Sequence, residues 1–169
     1  MNNRNNIFLG VVFSVFLFAA MPAPSARADF SGSWVLKERN SLSGNSYANG
    51  IPNEIIFVQK ADSAFISTIG LNQTGGYDTT ILHLGMDGLP SKTLTPTNKI
   101  RSTNMEWQEN QQSFIQIDNY YLEGNDKPDH KSTITWSISD KGNILTIVKL
   151  DENFINGETW SMKGIYDLQ

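Results

Sequence analysis

Ser132-Thr133-Ile134-Thr135-Trp136-Ser137-Ile138-Ser139 is the stretch whose reading decides the fold class. Ile134, Trp136 and Ile138 fall on one side of an extended backbone, and Thr133, Thr135, Ser137 and Ser139 on the other. A repeat of two with β-branched and aromatic residues describes a strand with one dry and one wet face. From Asp29 onward the same period recurs almost everywhere, and no stretch sustains apolar residues at the helical spacing i, i+3, i+4 and i+7. Helix is therefore a minor ingredient.

Working outward, the pattern predicts strands near Phe30–Arg39, Glu54–Lys60, Ala64–Gly70, Tyr77–Leu84, Lys92–Thr95, Arg101–Glu109, Gln112–Tyr121, Lys131–Ser139, Asn143–Leu150 and Glu158–Asp167. Short connectors such as Asp87-Gly88, Asn110-Gln111, Lys141-Gly142-Asn143 and Asn156-Gly157 supply residues that tolerate tight hairpins. An all-β, antiparallel up-and-down meander of about 8–10 strands follows. A long open sheet would expose two edges, so closure into a barrel or folding into a two-layer sandwich is favoured. The run Ile144–Leu150 is apolar on both faces, so its outer side is expected to meet a loop, a terminus or a protein partner, self-association included. Asn40–Asn53 is a long connector rich in Asn, Ser and Gly, read either as a lid over a barrel mouth or as an unconstrained excursion.

The first 28 residues read differently. Arg4 precedes an uncharged apolar run, Ile7–Ala20, followed by Pro22, Pro24 and Ala26-Arg27-Ala28. Charge, apolar core and small residues in that order describe a signal peptide cut after Ala28. The run is shorter than the roughly 20 residues that span a bilayer, so no stable membrane insertion is expected after cleavage. Residues 1–28 are assigned to the leader and 29–169 to a single domain that is periplasmic or secreted. Within that leader lie Arg4 and Arg27 and no acid, so the remainder carries 11 basic and 17 acidic side chains, a net of −6. Singly scattered bases on an acidic chain speak against nucleic acid as a partner. Cysteine is absent, so packing and backbone pairing alone must hold an exported domain of this size.

Near the start of the predicted domain stands Phe30-Ser31-Gly32-Ser33-Trp34-Val35-Leu36. This Gly-x-Trp opening the first strand resembles the signature of the lipocalin-like (calycin) barrels, particularly small bacterial secreted proteins that begin Phe-x-Gly-x-Trp directly after the leader. The resemblance implies a closed barrel in which Trp34 plugs one end and Gly32 permits close backbone approach beside the indole. It also implies an interior that holds a small apolar or amphipathic ligand, non-enzymatically and with no cofactor.

For such a cavity the candidate lining residues are Trp107, Tyr120, Trp136 and Trp160, each on a predicted strand; the plainer reading makes them ordinary core. A filled core would instead fit an envelope structural or protein-interaction module. Catalysis has thinner support, since His83 and His130 stand without cysteine or a Gly-x-Ser-x-Gly turn and do not form a metal-ligand spacing. Glu106, Glu109 and Asp118 are the remaining route to a carboxylate-dependent hydrolase. The segment Glu123–Asp129 lacks the ordered spacing of a calcium loop and reads as a solvated turn.

Overall fold

In the computed structural model, residues 26–72, 74–95 and 97–169 are described. Residues 1–25, most of the expected leader, lie outside them. The ten strands are β1 (Gly32–Ser43), β2 (Glu54–Gln59), β3 (Ser63–Leu71), β4 (Tyr77–Gly85), β5 (Ser91–Leu94), β6 (Ile100–Trp107), β7 (Ser113–Tyr121), β8 (His130–Ile138), β9 (Ile144–Asn153) and β10 (Thr159–Leu168). All pairings are antiparallel, in the order β4-β3-β2-β1-β10-β9-β8-β7-β6-β5. The last strand meets the first, and the sheet curls until β4 lies beside β6. One seam stays outside the hydrogen-bonded ladder, between β4 and the short β5 with β6, so the meander forms a nearly closed barrel. Among the described residues no helix is long and apolar enough to cross a membrane.

Strand positions follow the period-two pattern closely, and the tight turns fall where glycine permits them: Gly142 and Gly157 have φ of 71° and 73°. The largest difference is in β1, which continues through Asn40 and Ser41 to Ser43. These polar residues have little strand preference of their own. They remain extended because Ser41 and Ser43 keep their pairing with Met162 and Ser161 of β10, across two bulges. Ladder pairing there overrides local propensity.

The rest of the long connector crosses the barrel end and is tied down. Ile51 is fully buried, and Tyr47 packs on Trp160 with ring centroids 5.3 Å apart. Arg39 donates to the Ile51 carbonyl at 2.9 Å and to Asn53 Oδ1 at 2.8 Å, and the Tyr166 hydroxyl donates to the Pro52 carbonyl at 2.8 Å. Gly164 makes room for this plug, since a Cβ there would lie 2.6 Å from Ile51 Cγ2.

The opposite end is sealed by aromatic side chains. Phe30 lies 5.0 Å from Phe114 and 5.7 Å from Phe57, ring to ring, and Phe114 stacks on Trp136 at 5.7 Å. Trp34 is fully buried in this cluster, its Nε1 donating to the Phe30 carbonyl at 3.0 Å. Gly32 faces Leu168 so closely that an added Cβ would sit 2.5 Å from its Cδ1. Ala28 also joins this end, its N–H donating to the Gln111 carbonyl and its carbonyl accepting from Gln59 Nε2. With each large apolar side chain contributing about 1.5–3 kcal/mol when fully buried, this aromatic layer is a substantial part of the stabilising core of the barrel.

Candidate functional site

Inside the barrel, register sorts the inward side chains into layers. Beside the aromatic end, Trp107, Phe114, Trp136, Ile147 and Gly164 align across β6 to β10. One layer toward the other end come Met105, Gln116, Ile134, Lys149 and Met162, and then Thr103, Asp118, Ser132, Asp151 and Trp160. Arg101, Tyr120 and His130 form the outermost layer. The interior therefore passes from apolar to polar along its axis, because in these strands polar residues take over the inward phase near one end.

A cavity of about 340 Å³ lies at this transition. Ile66, Leu82, Ile134, Trp136 and Ile147 line its apolar part, and Thr68, Thr80, Arg101, Gln116, Asp118, Tyr120, Ser132 and Lys149 its polar part. Asn49 to Pro52 of the β1–β2 connector contribute to the wall, so this segment is a fixed part of the chamber. The seam is also close by, since Asp78, Thr80 and Leu82 come from β4 and Arg101 from β6.

Two hydrogen-bonded ion clusters hold the polar part together. Asp118, with a side chain only 2% exposed, accepts from Arg101 Nη2 at 2.7 Å, Gln116 Nε2 at 2.8 Å and Thr103 Oγ1 at 2.6 Å. Gln116 in turn accepts from Trp136 Nε1 at 3.1 Å, which links the aromatic layer to the ionic one. Asp151 bonds His130 Nε2 and Ser132 Oγ, the latter at 2.6 Å, and lies 3.3 Å from Lys149 Nζ. Burial opposes charge on Asp151, yet the hydrogen bonds from His130 and Ser132 together with Lys149 hold its pKa below the ordinary value. Burial likewise works against the Arg101 charge, but Asp118 more than compensates and the guanidinium pKa is raised. Burial, reinforced by Asp118 and Asp151 against the pull of Arg101, pushes the Tyr120 hydroxyl up to about 12, so it stays protonated and able to donate.

Ser132, His130 and Asp151 share a cluster without forming a nucleophile. Both Ser132 and His130 bond the carboxylate, whereas an activated serine needs its base hydrogen-bonded to its own oxygen. Glu106 and Asp118 do not face each other: Glu106 is exposed on the outer face of β6, and Asp118 is inward on β7. His83 lies outside, stacked on Phe65 at 4.4 Å. The Glu123–Asp129 segment forms the β7–β8 turn, where Asn125 N–H donates to the Leu122 carbonyl at 3.1 Å.

Of the four aromatic candidates, Tyr120 and Trp136 come together on the cavity wall. Trp107 lies in the aromatic end against Phe30 and Phe114, with the Arg27 guanidinium 5.3 Å over its ring. Trp160 lies behind the wall between Tyr47 and Lys149, whose Nζ is 5.0 Å from its ring centroid. Arg101, Gln116, Ser132 and Lys149 are wall residues that a search for aromatics passes over. Their signal is phase, for Ser132 continues the Ile134-Trp136-Ile138 side of its strand, and Lys149 continues that of Leu145 and Ile147.

No protein-family model matches the chain, and no curated protein matches it either. Its architecture, ten antiparallel up-and-down strands in a nearly closed barrel, is compatible with a lipocalin-like fold.

Proposed function

We propose that this protein is an exported lipocalin-like carrier that holds one small amphipathic molecule in its barrel without transforming it. The observation that carries this reading is the two-sided cavity, with Trp136 and aliphatic side chains on one part of its wall and Arg101, Tyr120 and Lys149 on the other. Its volume is near the lower end for small-molecule pockets, which suits a short-chain or single-ring ligand. About ten buried methylenes at about 0.8 kcal/mol each would give roughly 8 kcal/mol gross, and the cost of immobilisation leaves binding weaker than micromolar from this term alone. Removal of residues 1–28 and residence in the periplasm or medium belong to the same proposal and rest on the three-part leader pattern.

Native mass spectrometry of gently purified protein tests this directly, with a co-purifying small molecule expected. A hydrophobic probe is also expected to quench tryptophan emission, with most of the quenching lost in Trp136→Phe. Absence of both a bound mass and quenching would refute the carrier reading and return the chain to a purely structural role.

A further inference from the structure

We propose that the ligand enters and leaves through the side of the barrel, by the seam between β4 and β5, and through neither end. This rests on the reading of the cavity as a ligand site and deepens it by assigning the route of exchange. The burial of inward side chains tells which side of the chamber water reaches. On β6 to β9 the inward residues Thr103, Asp118, Ser132 and Asp151 form one layer across the ladder, and all four are buried. Asp78 and Thr80 of β4 also line the cavity, yet both are exposed. Across the seam Thr93 pairs with Arg101 and so shares its inward phase, and it too is exposed. A closed wall would shield such positions. Their exposure on both lips of the seam places the opening between them.

The ends are more costly to pass. One is packed with Phe30, Trp34, Phe57 and Phe114, all buried. The other is crossed by the β1–β2 connector, where Ile51 is buried and the carbonyls of Ile51 and Pro52 accept from Arg39 and Tyr166. A molecule passing there must break those bonds and bring Ile51 into water. Passing the seam breaks no ladder bond, since among the described residues β4 pairs only with β3 and β5 only with β6. The outward side chains of its lips are apolar: Tyr77 and Ile81 on β4 are 64% and 73% exposed, and Leu94 on β5 is 68% exposed. Such lips lower the cost of carrying an apolar body from outside to the chamber wall.

Because the chain has no cysteine, a single introduced one can be alkylated with a bulky maleimide at a chosen place. The probe is anilinonaphthalene sulfonate, its binding and release followed by stopped-flow fluorescence on the purified protein. An obstructed route slows both directions and leaves the equilibrium alone, so the adduct on Thr93→Cys is expected to reduce association and dissociation rates about tenfold each, with Kd within about threefold of the parent. The same adduct on Tyr77→Cys, on the opposite lip, is expected to act likewise, and it keeps the test intact if the Thr93 variant misfolds. On Ala48→Cys, in the connector at the polar end, the adduct is expected to leave both rates within about twofold. Unchanged rates at both lips, or slowing at Ala48 instead, would overturn the seam route and leave the carrier reading standing on the probe's affinity. If the unmodified protein bound no probe, both would fall.

Discussion

The two ends of this barrel are built on the same alternation and hold together by different physics. At one end Phe30, Trp34, Phe57 and Phe114 exclude water, and their stabilisation is non-directional and scales with area. Toward the other end Arg101, Asp118, Ser132 and Asp151 take the same inward positions, where stability depends on each polar atom finding its partner. The first arrangement tolerates no hole, and the second tolerates no widow. The cavity lies where the two meet, because full apolar packing has stopped there and the ionic side chains do not fill the remaining space.

The largest expected effect is at the apolar end. Phe114→Ala should cost about 4 kcal/mol by urea denaturation, since it removes a fully buried ring against four aromatic neighbours. A cost below about 1 kcal/mol would show that this layer contributes little to stability.

At the polar end Asp118→Ala should cost about 3 kcal/mol, chiefly through the unpaired Arg101 it leaves behind. Replacing both partners, as Arg101→Met with Asp118→Leu, should return stability to within about 1 kcal/mol of the parent. If the double variant is as unstable as the single one, the pair contributes more than mutual compensation.

Titration separates two groups of the polar end by sign. The folded pKa of Tyr120 lies above the ordinary tyrosine value of about 10, so its contribution is complete below that pH and is lost as pH rises toward 12, by about 2–3 kcal/mol. Burial raises Tyr166 as well, so Tyr120→Phe should remove part of the alkaline loss in urea titrations run from pH 8 to 12. Asp151 behaves oppositely. Its depressed pKa stabilises the fold above the ordinary aspartate value and ceases to do so as pH falls through the lowered one.

Gly164→Ala should cost about 2 kcal/mol, because the new methyl would meet Ile51 and Tyr166. Faster amide exchange at Asn53, which donates to the Ile69 carbonyl, would report release of the β1–β2 connector. The smallest effect belongs to the outer surface: Ile81→Ser, at a residue 73% exposed, should change stability by less than about 0.5 kcal/mol.

Much of the scaffold was legible in advance, since alternation fixes which residues share a face before any partner strand is known. The ten strands, the hairpin turns at Gly142 and Gly157, and the meeting of first strand with last follow from it together with the aversion of sheets to open edges. The site was legible only in part. Tyr120 and Trp136 are evident as aromatics on strands, but Arg101, Gln116 and Lys149 look like ordinary solvent-facing polar residues until their phase is followed into the apolar side of the same strand. The extension of β1 to Ser43 was illegible for another reason, because pairing with β10 and not local preference keeps those residues extended.

By itself the sequence determined that this chain is a set of amphipathic strands, because a period of two is a property of each segment's own backbone. Tertiary structure alone decided that Arg101, Asp118 and Lys149 share one chamber with Trp136, and that the connector ending at Asn53 walls it. Those contacts depend on the relative register of strands remote in the chain and on how far the sheet curls before β4 reaches β6, quantities fixed by packing across the barrel.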